Sequence, residues 1–330
     1  MPEQFRDDST AGKPRGGRAP VSRQIWVDGA LVPWEQATVH VLSHSMQRGS
    51  LVFDYMSAHE TPRGVAVFRL GDHVERFFRS CELVGLPLEL GRGEIERAIR
   101  ETVRANLGSH SVKVSAYLPS IEVDVVPQDD RVSVAIAAYD TGRDVIARNP
   151  GQFEKRATVR LWIEKEIRNR RGDIVPPQAK VAANYVSPML AKWKARRRGY
   201  DEILLIDEQG CVAEGPTTNV FLVDTDGALR TPPDERVLWG VTRRSILELA
   251  KHDGLTVCEE SVRPEELGEA SEVFLTGTTA GVWPVESIDG QPVGEGAPGP
   301  VSRALGEHFR RVVAAADSDF EHWLCFVDED

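Results

Sequence analysis

Apolar residues recur along this chain with two periods, and each change of period marks an element. Gly93 to Leu107 (GEIERAIRETVRANL) spaces Ile95, Ile99, Val103 and Leu107 four apart, so one face of a helix is apolar and the rest charged. Asp72 to Val84 predicts another helix, with Asp72 as N-cap and Gly85 as its stop. Ala183 to Arg198 is helix-like, and Thr242 to Lys251 is a helix closed by Gly254. Pro300 to Ala315 predicts a last helix that turns Leu305, Phe309 and Val312 inward. Two-residue alternation predicts the strands. Gln24 to Val32 reads as a hairpin around Asp28-Gly29, and Thr38 to Leu42 as a strand. Ser50 to His59 and Val65 to Arg69 read as a pair joined near Thr61 to Gly64, followed by strands at Ser111 to Leu118 and Arg131 to Ala138. Further on, Thr158 to Ile163, Glu202 to Ile206, Cys211 to Ala213, Asn219 to Val223, Thr256 to Val262 and Glu272 to Thr276 are strand-like, and the Leu229 to Thr231 strand runs into a turn at Pro232-Pro233.

These elements divide the chain. Met1 to Arg23 is polar and rich in Gly, Pro, Arg and Ser, too poor in apolar surface to fold alone, and reads as a disordered tail. Residues 24–139 make a small α+β domain with a mainly antiparallel sheet. Residues 140–151, polar and broken by Gly142 and Asn149-Pro150-Gly151, are the linker, and residues 152–330 form a larger domain. A chain of 330 residues is long enough for two such cores. Its 51 acidic against 40 basic residues argue against nucleic acid or an anionic membrane as main partner. No apolar run approaches a membrane span, and the N-terminus has no hydrophobic signal core. Cys81, Cys211, Cys258 and Cys325 lack the paired spacing of metal or redox motifs and read as reduced thiols in a cytoplasmic protein. The histidines show no metal-ligand spacing, so no metal site is expected.

The candidate chemistry gathers between Lys180 and Phe221. Lys180 follows Pro176-Pro177 and precedes the helix-like stretch. Downstream the chain turns at Asp207 to Gly210 and returns to Glu214, which suggests a carboxylate at the floor of a pocket. Taken singly, Lys180 is an ordinary surface lysine and Glu214 a turn carboxylate. Together they are what a pyridoxal phosphate enzyme needs, an amine to form a Schiff base and an acid to keep the ring nitrogen protonated. Gly240-Val241-Thr242 opens a helix whose free N–H groups suit an anion, and Gly277-Thr278 offers a second small-residue loop. Arg76 in DHVERFFRSC either supplies positive charge to a phosphate or is a solvated helix-face arginine like Arg79.

Lys180 in AKVAANY, Glu214 in VAEGPTTNVF, Gly240 to Arg243 in LWGVTR and the TGTTAG run from Thr276 stand in the order found in the class IV aminotransferases, the fold-type IV pyridoxal phosphate enzymes. The chain resembles that family from Gln24 to Val327 and is closest to its branched-chain group. The resemblance implies a two-domain α+β fold with a mixed, barrel-like sheet in the larger domain. It implies a homodimer, or a larger homo-oligomer, with the active site at the domain and subunit boundary, and transfer of an amino group from a hydrophobic amino acid to a keto acid. Lys180 would be the catalytic residue. Arg76, Tyr185, Glu214, Leu238, Val241, Thr242, Gly277 and Thr278 would surround pyridoxal 5'-phosphate, with Tyr185 at the ring oxygen, Leu238 beneath the ring, and the DHxxR pattern selecting Arg76 over Arg79. Phe53, Tyr117, Thr279 and Ala280 would line the substrate pocket, the last three at the substrate carboxylate.

Three positions depart from the branched-chain pattern: Arg48 for a Tyr, Asp54-Tyr55 for Glu-Gly, and Pro119 for the Arg that takes a side-chain carboxylate. Arg48 is then either a substitute cation reaching across the dimer interface or the partner of Asp54 or solvent. Tyr55 would narrow or reshape the pocket. With TTAG at Thr278 to Gly281, these departures keep (R)-amine or D-amino acid transaminases as an alternative, then a lyase of the aminodeoxychorismate type. A non-catalytic relative that binds a phosphorylated ligand is a further class.

Overall fold

The computed structural model describes residues 22–148, 156–169 and 171–329. The chain builds two sheets that meet along one long strand. The first sheet is antiparallel throughout, in the order Leu324–Phe326, Gly64–Phe68, Val52–Thr61, Ser111–Tyr117, Ser133–Tyr139, Gln24–Val27, Ala30–Pro33. Helices Leu70–Val84 and Arg92–Ala105 cover one face of it, where Val52, Met56 and Val112 pack with Val74, Phe77, Ile95 and Ile99. Along Val52–Thr61 burial alternates residue by residue, so the opposite face presents Phe53, Tyr55, Ser57 and His59.

The second sheet is mixed, in the order Val257–Glu259, Leu229–Thr231, Asn219–Val223, Glu272–Gly277, Gly281–Ile288, Val159–Glu164, Glu202–Leu205. Three of its pairings are parallel. After Glu202–Leu205 the chain turns back, and Ala213 N–H donates to the Leu205 carbonyl while Leu205 N–H donates to that of Glu214. Glu214 in turn bridges to Asn219, so the far edge of the sheet curls round to its middle strand. Residues of Asn219–Val223 and Glu202–Leu205 are buried on both faces, as a sheet enclosed on both sides requires. Helices Val241–His252 and Pro300–Val313 pack on one side, in a core that holds Phe221, Phe274, Ile246 and Leu305 together with Phe68 and Leu324 of the first sheet.

Several expectations shift in the fold. Thr38 to Leu42 is not a strand: nothing among the described residues pairs with it, and Val41 is exposed. The helix expected from Asp72 begins at Leu70 behind Arg69, whose backbone is left-handed, and Asp72 accepts from Arg69 Nε at 2.5 Å rather than capping. Leu107 is exposed because its helix ends at Ala105. Thr256 to Val262 shortens to Val257–Glu259. Gly281–Ile288, hidden in the sequence by Pro284, is a full strand. The last strand, Leu324–Phe326, returns from the second half of the chain to the first sheet. Within the expected linker, Thr141–Val145 and Ile146–Arg148 are short helical turns; Asn149 and Pro150 lie outside the described residues. So does the tail up to Val21, but Arg23 is buried and pairs with Asp144 at 2.8 Å. Among the described residues no helix is long and apolar enough to cross a membrane.

Candidate active site

Lys180 is placed by its backbone. The Lys180 carbonyl accepts from Phe53 N–H at 3.0 Å, Ala182 N–H donates to the Leu51 carbonyl at 2.7 Å, and Val181 bridges to Val52. The lysine is thus an added rung on the end of the long strand of the first sheet. Its own N–H donates to Ser80 Oγ at 3.0 Å, and that hydroxyl donates to the Arg76 carbonyl. Its side chain is buried, with Nζ 3.2 Å from the Tyr185 hydroxyl and 5.1 Å from the centre of the Phe53 ring. Tyr185 comes from a single 3₁₀ turn, Ala182–Tyr185, that precedes helix Val186–Arg197. Its ring lies 5.3 Å from Phe53.

Arg76 stands on the covering helix and is buried, whereas Arg79 lies over the Trp239 ring. The Arg76 guanidinium grips fully buried Asp54 with two N–H···O bonds, Nε to Oδ2 at 2.7 Å and Nη2 to Oδ1 at 2.8 Å. His73 Nδ1 donates to the same carboxylate at 2.7 Å. Burial alone would push Asp54 up, but the Arg76 and His73 charges and hydrogen bonds outweigh it and hold the carboxyl well below the usual carboxylate range. Burial pushes His73 down, against the pull of Asp54 and with the help of Arg76 and Lys180. Arg76 Nη1 donates to the Trp239 carbonyl at 2.9 Å, just before the start of the Val241 helix.

That start is closely fitted. Leu238 N–H donates to Glu214 Oε2 at 3.0 Å, and Asn219 Nδ2 donates to the Leu238 carbonyl at 3.2 Å. A Cβ on Gly240 would come within 1.9 Å of Asn219 Oδ1, so the approach needs glycine. No side chain caps the helix at Gly240, and Val241 and Thr242 are buried in its first turn. Across from it, a Cβ on Gly277 would sit 3.1 Å from the Thr217 carbonyl. Thr218 turns its methyl toward that glycine and its hydroxyl toward Gly215, and the Thr218 and Thr276 hydroxyls are buried without a hydrogen-bond partner among the described residues.

The open face of the first sheet forms a wall beyond Lys180. Phe53, Tyr55 and Ser57 stand opposite Ser115, Lys113 and Ser111 on the neighbouring strand. Lys113 Nζ lies 4.5 Å from the centre of the same Phe53 ring that Lys180 faces. Burial lowers the Lys113 pKa, and the Lys180 charge lowers it further. The Tyr55 hydroxyl donates to Ser111 Oγ at 2.6 Å, and Thr278 Oγ1 donates to the Tyr55 carbonyl at 3.3 Å. Thr278, Thr279 and Ala280 form the turn between strands Glu272–Gly277 and Gly281–Ile288.

A family model described as amino-transferase class IV matches residues 51–288. The chain belongs to the class IV aminotransferases. It is 35% identical over 309 residues to the branched-chain-amino-acid aminotransferase of Escherichia coli K12, covering 92% of this chain and 97% of that protein. The enzyme of the same name from Pseudomonas aeruginosa is 33% identical over 304 residues, at the same coverages. Among solved structures, the T.th. branched-chain amino acid aminotransferase with pyridoxamine 5'-phosphate superposes with a TM-score of 0.86 at 36% identity, over 94% of this chain and 100% of that one.

In this class IV aminotransferase the fold links Lys180, Arg76, Trp239, Leu238 and Glu214 by an almost continuous path of hydrogen bonds through Ser80. It does not bring all the expected pocket residues together. Tyr117 lies among Asp28, Arg131 and Ser133, four residues or about 13 Å along its strand from the position opposite Tyr55, away from Thr278 to Ala280. Arg48 ends the short helix His44–Arg48 and donates to the Val123 carbonyl at 2.9 Å on an exposed surface. It does not pair with Asp54, which Arg76 has taken. The cation on the wall is Lys113, which sequence reasoning passed over. The alternation in SVKVSAY was the available signal, since it puts Lys113 on the face shared by Ser111 and Ser115. Ser80 and Asn219, both needed for the frame, carry no sequence signal of their own.

Replacing Asp54 with Asn leaves Arg76 buried beside a neutral group, a loss expected to cost about 3–5 kcal/mol. Urea unfolding at pH 7 measures it. Folding depresses the Asp54 pKa, so its contribution is complete above the unfolded value near 4 and is lost as pH falls from there toward the folded value. The gap between wild type and Asp54→Asn is expected to narrow in acid below about pH 4. An equal gap at low and neutral pH would exclude this carboxylate as its source.

Proposed function

We propose that this class IV aminotransferase uses pyridoxal 5'-phosphate to pass an amino group between a hydrophobic, branched-chain-type amino acid and a keto acid. The observation that carries the proposal is Lys180, a buried amine hydrogen-bonded to a phenol and fixed through Ser80 to the helix of Arg76. Relatives at about one-third identity share the branched-chain name. The T.th. enzyme has been solved with pyridoxamine 5'-phosphate and with 4-methylvaleric acid.

The residues suit this cofactor. Gly240 and Gly277 let the backbone pack against Asn219 Oδ1 and the Thr217 carbonyl with no room for a Cβ, and the buried Thr218 and Thr276 hydroxyls have no hydrogen-bond partner among the described residues. The uncapped N–H groups at Val241 and Thr242, with Gly277 and Thr278, are the phosphate donors, and Arg76 adds positive charge next to them. Glu214 is the buried carboxylate for the ring nitrogen, Tyr185 the phenol for the ring oxygen, and Leu238 the apolar floor. Bound there, pyridoxal phosphate supplies an electron sink for the substrate's reacting carbon.

Lys180 does the proton work. With the cofactor bound, its Nζ would hold it, and the same nitrogen, once free, would carry the proton between the substrate's reacting carbon and the cofactor. The Tyr185 hydroxyl keeps that nitrogen over the Phe53 ring. Phe53 gives an apolar side chain its contact. The Thr279 and Ala280 backbone attracts the carboxylate next to the reacting carbon, and the Lys113 ammonium a carboxylate on the substrate's side chain.

The active unit is a homodimer. On helix Val186–Arg197, Val186, Met189, Leu190 and Trp193 form one exposed apolar stripe. Gly49 abuts Ala183 just before that helix, which brings the stripe next to exposed Met46 and to Val123. A second copy covers this patch, and Arg48, held within it, is the residue placed to reach the neighbouring site.

Holoenzyme mixed with L-leucine and no keto acid is expected to lose the visible absorbance of the bound cofactor, and Lys180→Ala to lose none. Bleaching by D-alanine or (R)-1-phenylethylamine but not by L-leucine would overturn the branched-chain assignment. Lys113→Met is expected to raise the KM for 2-oxoglutarate about tenfold, the value of one charge-assisted hydrogen bond, and to leave that for 4-methyl-2-oxopentanoate unchanged. Equal effects on the two acceptors would remove Lys113 from carboxylate recognition. Light scattering is expected to find twice the chain mass for the wild type and a single chain for Met189→Glu/Trp193→Glu; a monomeric wild type would refute the dimer.

A further inference from the structure

Beyond Tyr55, further along the wall from Lys180, lies a cavity of about 400 Å³. Ser57, His59, Ser111, Asp140 and Thr141 line it, and Tyr55, Thr278 and Thr279 belong both to it and to the active site. Apart from Ala58 and Gly142, every residue in its lining has a side chain with a hydrogen-bonding atom. Several are already linked: Tyr55 donates to Ser111 Oγ, Ser111 Oγ is 2.8 Å from Thr141 Oγ1, and His59 Nε2 is 2.8 Å from Ser57 Oγ. Such a surface is a poor match for isobutyl or isopropyl groups, which leave hydroxyls and imidazole dry and unsatisfied. A branched-chain substrate does not reach its far part, around Ser57, either. Phe53, the residue beside Lys180, is about 13 Å along the strand from Ser57.

The charges narrow the choice of occupant. Among the described residues no Lys or Arg lines the cavity, and the Asp140 carboxylate, which accepts from Arg143 N–H at 2.6 Å, would repel an anion. His110 Nε2 stands 4.0 Å from that carboxylate, and a second cation would have to share that side of it. Burial, reinforced by His110, pushes His59 down to about 4, so it is a neutral imidazole at about pH 7, able both to donate and to accept.

We propose that this cavity is a second substrate compartment, built for an uncharged hydroxyl- or amide-bearing group at the far end of an amino donor longer than a branched-chain amino acid. It rests on the transaminase reading of Lys180 and extends it from the reacting carbon to the distal end of the substrate.

Holoenzyme half-reactions, followed by loss of cofactor absorbance, test it with four donors of equal length. These are 2-aminododecanoate, long enough to span that distance, and its analogues ending in a hydroxyl, a carboxylate or an ammonium, with L-leucine alongside. The hydroxyl-ended donor is expected to react about fivefold faster at low concentration than the methyl-ended one, the yield of a net neutral hydrogen bond, with both charged analogues slower. Thr141→Trp, which fills the cavity, is expected to bring the hydroxyl-to-methyl ratio to about one. Ser57→Val, a milder change, removes a single hydroxyl and is expected to lower the same ratio. Equal or faster reaction of the methyl-ended donor, preference for a charged end, or a ratio that survives both substitutions would overturn the compartment. L-leucine separates the two levels of the argument. If no donor consumes the band, the transaminase reading falls and the compartment with it. If L-leucine reacts and the hydroxyl gains nothing, only the compartment falls.

Discussion

A carboxylate and a guanidinium removed from water fix the geometry of this molecule. Asp54 is fully buried on the central strand of the first sheet, and Arg76 meets it with two parallel bonds from the covering helix. Such a pair need not add net stability, because each charge loses its hydration. What it does is register three elements against one another. Arg76 also donates to Trp239, which sets the loop that opens the Val241 helix, and Ser80, one turn further on, holds the backbone of Lys180. The amine, the buried carboxylate of Glu214 and the helix start are therefore positioned from the same short stretch of helix. Moving that helix by one turn would dismantle all three.

The same strand serves the frame and the pocket because its side chains alternate. Asp54 points to the helix, whereas Phe53 and Tyr55 point to the wall. A slip of one residue would send the carboxylate into the pocket and the aromatics into the core. Six consecutive pairings with Ser111–Tyr117 hold this register, and the Lys180 rung extends it by backbone bonds that no side-chain substitution removes.

The sequence made legible what is local. Helix starts and stops fell within a few residues, and Asn219–Val223 and Leu229–Thr231 lie where the pattern placed them. Lys180 and Tyr185, five apart, meet across a single turn. What it hid depends on partners far along the chain. Nothing near Asp54 announces Arg76 as its partner, and no pattern assigns Ser80 to Lys180. Thr38 to Leu42 alternates convincingly but has no neighbouring strand among the described residues, and Gly281–Ile288 pairs on both sides despite its proline. Arg48 stands on an exposed surface beside Val123, and the register of SVKVSAY, not any local motif, puts Lys113 on the wall.

This division has a physical cause that bears on how such a site changes. The cofactor frame is made of backbone bonds, helix ends and glycines with almost no clearance, so most substitutions there disturb more than one contact. The wall is made of side chains standing on a ladder that does not depend on them. The Asp54-Tyr55 departure from the branched-chain pattern respects that boundary. Asp54 keeps the carboxylate that Arg76 needs, one methylene shorter than Glu. Tyr55, in place of Gly, adds a side chain only on the wall, where its hydroxyl finds Ser111. Selection on substrate can therefore rewrite Tyr55, Ser57 and Thr141 without breaking the backbone bonds that hold Lys180, whereas Lys113 is coupled to Lys180 through the Phe53 ring they share.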